Sequence, residues 1–195
     1  MASAEAIARY FLYLAAQGEE PSPITHLQLQ KLLYYAQGWT LAMRDRPLFN
    51  SEVQAWKHGP VVPEVFPKFT DYGSDAIARH EALDDATLTE DDRAMVEYVW
   101  RGYGGFSASR LREMTHSESP WNEARNGVPI DAASRSTISR ESMGGYFKGL
   151  HEKSLRQSGI DPNVLAGSRK RAAAGDVILF EKLMGELGHD MANRR

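Results

Sequence analysis

The stretch Ile24–Arg46, ITHLQLQKLLYYAQGWTLAMRDR, decides the reading of the fold. Thr25 suits an N-cap, because its hydroxyl accepts a first-turn amide that has no partner inside the helix. Leu29, Leu32, Leu33, Ala36, Thr40 and Met43 recur at steps of three and four, one stripe of an α-helix. Leu27, Tyr34, Tyr35, Trp39, Leu41 and Ala42 widen that stripe almost all the way round. A helix apolar on most faces is packed from several sides, so this one is predicted to be central and buried. Lys31 and three glutamines make it too polar for a membrane span of that length. Arg44-Asp45-Arg46-Pro47 stops it, since proline cannot continue a helix.

Around this helix the composition is that of one globular domain with an appendage: 195 residues, 42% of them hydrophobic. There is no cysteine, which removes disulfides and thiolate zinc sites. A formal charge of −3 argues against general nucleic-acid binding. The N-terminus, MASAEAIARYFLYLAAQ, is amphipathic and unlike a signal peptide, so a cytoplasmic protein is expected. Between Ser74 and Glu97 eight acids face two bases, an acidic connector best read as a solvated surface.

Working outward, Ser3–Ala16 reads as a first helix with Ile7, Tyr10, Phe11 and Leu14 on one face. Gly18 ends it, and 19–23 make a rigid polar link. Leu48–Trp56 reads as a short strand or arm, His58-Gly59-Pro60 as a turn, and Pro63–Asp71 as a helix. Thr89–Tyr103 is a capped helix in which Thr89 and Asp92 have capping-box spacing. A short helix to Met114 follows, with Ser107 or Ser109 as cap. Thr115–Trp121 is read as a loop, with Ser119 as N-cap and Pro120 in the first turn of the next helix. Ile138–Leu150 closes a body of residues 1–150. Residues 151–195 form an accessory tail, poor in aromatics, with one possible helix over Val177–Leu187. The fold class expected is mainly α: a compact multi-helix domain around a central buried helix, with a small β-element.

Catalytic motifs are missing from the chain. It has no Gly-rich phosphate loop, no GxSxG elbow and no histidine pair at helical zinc spacing. His116 and Glu118, on alternate residues of an extended loop, make half of a metal or acid–base site; otherwise Thr115, Ser117 and Glu118 bind backbone amides and cap the next helix. Two readings of Trp56-Lys57-His58-Gly59-Pro60 stand: a packed turn with Trp56 in the core, or a rigid aromatic platform for a partner. Trp121 poses the same choice, core or contact.

Three stretches in this order, LQLQKLLYYAQGWTLA (27–42), PLFNSEVQAWKHGPVVPEVFPKFTDYG (47–73) and MTHSESPWNEAR (114–125), resemble the Panacea-domain family of bacterial antitoxins. The resemblance spans Thr25 to Arg125. It implies a mostly helical fold with a β-element near Glu52–His58, no catalysis, no cofactor and no metal. It also implies neutralisation of a cognate protein toxin encoded nearby, by an adaptor that delivers the toxin to the ClpXP protease through its ClpX unfoldase. On that expectation Trp56, His58, Pro60, Val61 and Trp121 belong to the toxin-binding face, and the tail supplies a second surface. The rival expectations are a small metal-dependent hydrolase using His58, His116 and Glu118, and a DNA-binding autoregulator. No basic recognition helix stands out for the latter.

Overall fold

The structure is a computed structural model that describes residues 1–17, 22–84 and 86–157. The central helix, α2, runs His26–Arg44. Thr25 Oγ1 accepts from the Gln28 amide at 3.3 Å, and Gln28 Oε1 accepts from the Thr25 amide at 2.8 Å, a complete capping box. Asp45 ends the helix in the left-handed region at φ 54°. The other helices are α1 (Ala4–Ala16), α3 (Glu90–Tyr103), α4 (Ala108–Ser117), α5 (Ser119–Arg125) and α6 (Arg140–Gln157). Ser3, Thr89 and Ser107 cap α1, α3 and α4 with their hydroxyls. Strands β1 (Gln54–Trp56) and β2 (Gly59–Val61) form an antiparallel hairpin that pairs Trp56 with Gly59. The architecture is therefore mainly α with a small β-element.

The central helix is buried as its pattern requires: Leu29, Leu32, Leu33, Tyr34, Tyr35, Ala36 and Trp39 are all 0% exposed. It packs against α1, α3, α4 and β2. Tyr35 stacks on Tyr103 of α3 at 3.9 Å, and Trp39 Nε1 donates to the Tyr103 hydroxyl at 3.0 Å. Phe147 meets Tyr34, Tyr35 and Trp39 edge-on. That ring leaves no room for a side chain at position 38, where a Cβ would lie 2.2 Å from it, so only glycine fits. The apolar groups so removed from water supply the main stabilisation, at roughly 25 cal/mol per Å².

The acidic connector is tied into the fold. Asp91 pairs with Arg44 at 2.7 Å and Arg46 at 2.6 Å, Asp92 with Arg46 at 2.8 Å, and Glu81 with Arg9 at 2.6 Å. Arg93 pairs with Asp84. The Asp92 carboxylate is thus engaged by Arg46, and only its backbone amide joins the Thr89 cap, at 3.1 Å.

Four stretches depart from the periodicity reading. Pro63–Asp71 is no α-helix; it holds two single 3₁₀ turns, Phe66–Lys68 and Thr70–Tyr72. Pro67 removes an amide and restricts Phe66, and Gly73 turns away at φ 52°. Thr115–Ser117 is not loop but the end of α4: Thr115 Oγ1 donates to Arg112 O, and Ser117 Oγ to Glu113 O and Met114 O. Ser119 is the first residue of α5, not its cap. α6 starts at Arg140 because the Ile138 amide is used at the sheet edge, donating to Val53 O at 2.8 Å, and it continues beyond Leu150. The chain divides into two compact units, Met1–Phe147 and Lys148–Arg195. Of the second, the described part is helical to Gln157. Gly18, expected to end α1, the Glu19–Pro21 part of the polar link and the expected helix over Val177–Leu187 lie outside the described residues.

Candidate functional site

Three polar side chains of α2 face the backbone of residues 47–62 and hold it. Gln37 binds the segment after Pro47: its Oε1 accepts from the Leu48 and Phe49 amides at 2.9 and 3.2 Å, and its Nε2 donates to Phe49 O at 2.9 Å. Gln30 Oε1 accepts from the Val62 amide at 2.8 Å. Lys31 Nζ donates to Pro60 O at 2.7 Å. Gln30, Lys31 and Gln37 are at most 1% exposed, so these bonds replace water for groups that would be costly to bury unpaired. Together they fix both ends of the 47–62 segment to one rigid helix.

The hairpin tip is pressed onto this bracket. Gly59 has φ 96°, and a Cβ there would lie 2.7 Å from both Lys31 Cε and Thr115 Oγ1. Glycine is required twice over, by backbone angle and by space. Trp121 Nε1 donates to Trp56 O at 3.0 Å, joining α5 to β1. Arg125 reaches Ala55 O, Pro129 O and Ala132 O, with its guanidinium 4.7 Å from the Trp121 ring. His116 stacks on the other partner of this corner, the Trp121 ring, at 4.1 Å.

Glu118 sits at the break between α4 and α5. The expected cap contact is not made: its carboxylate turns into the core and accepts from Tyr34 OH at 2.8 Å and Tyr35 OH at 2.9 Å. Burial pushes its carboxyl up to about 7, against the opposing pull of the two hydroxyls. Burial likewise brings the Lys31 ammonium down to about 7, with the nearby Arg112 charge adding to the effect. His116 falls to about 4, through burial and then the charges of Arg112, Lys31, Arg125 and His58.

Of the residues expected to meet a partner, Trp56 is half-buried and His58 is exposed. Pro60, Val61 and Trp121 are buried, so they position the tip from beneath. Trp56 lies against Phe66 at 4.8 Å, with the Arg135 guanidinium 5.6 Å above it. His116 and Glu118 do not share one side of an extended loop; the first stacks on Trp121 and the second is held by two tyrosines. Among the described residues, no group of three histidine, aspartate or glutamate side chains is placed to hold a metal ion. The periodicity reading passed over Gln30, Gln37 and Arg112 as site residues. The available signal was their type, since a buried polar group on an apolar helix needs a specific partner.

Residues 29–122 match the family model described as antitoxin SocA-like, Panacea domain. A relative is the antitoxin SocA of Caulobacter vibrioides, 35% identical over 116 residues, which cover 54% of this chain and 62% of the relative. The chain thus spans less than two thirds of that relative's length. No solved structure matches.

Proposed function

We propose that this chain is an antitoxin that binds and neutralises a cognate protein toxin, using the corner formed by the hairpin tip, α4 and α5. The observation that carries this reading is the match of residues 29–122 to the SocA-like Panacea domain, a stretch that contains the bracket, the tip and Glu118. The geometry supports it: a rigid scaffold holds a half-buried tryptophan ring and an exposed imidazole at the hairpin tip, side-chain types that suit a protein-binding hot spot. Binding here is a matter of presentation and needs no chemistry at the corner. The chain acts further as an adaptor, with residues 151–195 engaging the ClpX unfoldase of ClpXP. Tethering of that kind raises local substrate concentration, with gains of roughly 10² to 10⁴ in occupancy.

The test is co-expression with the protein encoded beside it. Growth restored by the full chain supports the antitoxin reading, and toxicity undiminished at equal expression refutes it. Removal of 158–195 is expected to keep binding and to stop ClpXP-dependent turnover of the toxin. Turnover that continues unchanged would contradict the adaptor role.

A further inference from the structure

The hairpin tip and the α4 face beside it bring basic side chains together. Lys31 meets no carboxylate within ion-pair distance among the described residues, and its one acceptor is Pro60 O. The Arg112 side chain, on α4, makes no hydrogen bond or ion pair among the described residues, and its Nε is buried without an acceptor. His116 Nε2 is buried without a partner too. Arg112, Thr115 and His116 stand at helical steps of three and four, on one face of α4. That face meets Lys31 at Gly59, where Thr115 Oγ1 and Lys31 Cε crowd the same point. Lys57 and His58 are exposed beside it. The His58 imidazole is lowered by burial and then by Arg112, Lys57 and Lys31, with no carboxylate opposing.

The half-buried Arg112 guanidinium has lost part of its hydration and is repelled by the charge that Lys31 beside it retains. A carboxylate arriving from outside relieves both costs. The Arg112 guanidinium offers a planar fork suited to a carboxylate, and the exposed Lys57 and His58, next to half-buried Trp56, make the rim. Aromatic and arginine anchors side by side mark a protein interface. The net charge of −3 disfavours a nucleic-acid phosphate.

We infer that this corner is the receptor for an aspartate or glutamate side chain of the bound protein, taken by the Arg112 guanidinium with Lys57 and His58 at its rim. Lys31 and His116 lie beneath and supply field and shape. The inference rests on the antitoxin reading and names what that surface recognises.

The experiment is calorimetric titration of the neighbouring-gene protein with the full chain and with Arg112→Met and Arg112→Lys. Arg112→Met is expected to weaken binding by about 30-fold or more, the usual scale for truncating one side of a desolvated charge pair, with an unchanged or higher melting temperature. Arg112→Lys is expected to fall between, since it keeps the charge and loses the fork. Equal affinity for wild type and Arg112→Met overturns the inference and leaves the antitoxin reading standing. No binding by wild type overturns both. A second arm needs no partner and covers a variant that fails to fold: NMR titration of the wild-type His58 ring with N-acetylglutamate, and separately with inorganic phosphate. A saturable shift with N-acetylglutamate is expected, and its absence overturns the inference. A shift with phosphate that exceeds the one with N-acetylglutamate assigns a general anion site and overturns it as well.

Discussion

Towards α3 the central helix presents Tyr35, which stacks on Tyr103, and Trp39, which meets Tyr98 edge-on; towards the hairpin it presents Gln30, Lys31 and Gln37, which bind backbone. The two sides hold by different physics. Ring packing scales with area removed from water, and the Trp39 Nε1–Tyr103 hydroxyl bond adds direction to it. The glutamine and lysine bonds name individual atoms of a segment with only a three-residue ladder of its own. They set the position of the tip, which is what a binding surface needs.

The contrast can be broken on either side. Trp39→Ala should have the largest effect, lowering stability by about 4 kcal/mol through lost transfer energy and a cavity, read by thermal or urea melting. On the polar side, Glu118→Gln sharpens the picture through pH. A carboxyl raised from 4.5 to about 7 in the fold contributes stability that is complete below 4.5 and lost as pH rises through 7. The amide variant lacks that loss. Its stability relative to wild type should therefore rise by on the order of 3 kcal/mol from pH 4.5 to 7, read by urea melts across the window.

Gln37→Leu keeps size and removes three bonds to Leu48 and Phe49. Roughly 2 kcal/mol of destabilisation is expected, with hydrogen exchange accelerated at the Leu48 and Phe49 amides and unchanged in α3. Lys31→Met should be the mildest. An isosteric apolar replacement relieves a buried charge while leaving Pro60 O unpaired, a net change within about 1 kcal/mol. Lys31 lies lowered from 10.5 to about 7. The wild type should therefore gain on the Met variant as pH rises from 7 towards 10.5, because the unfolded lysine holds its proton through that window.

The helical frame was legible because its causes are local. Thr25, Thr89 and the three-and-four spacing of Leu29, Leu32, Leu33 and Ala36 speak within one turn. Thr115–Trp121 misled, since threonine, serine and histidine favour loops until tertiary packing gives their hydroxyls carbonyls to bind. Glu118 looked like a cap, and nothing near it in the chain reveals Tyr34 and Tyr35, more than eighty positions away. Trp56 and His58 drew notice by their turn. Arg112 became visible only once α4 was seen beside the tip.

The most direct test is the affinity of the neighbouring-gene protein for Trp56→Ala and His58→Ala at the tip and for Arg101→Ala on α3, an exposed residue away from the bracket. Both tip variants should bind at least about tenfold more weakly, with melting temperatures close to wild type, while Arg101→Ala binds normally. Undiminished binding by both tip variants, in a folded chain, would contradict the claim that the central helix holds this hairpin out for a partner.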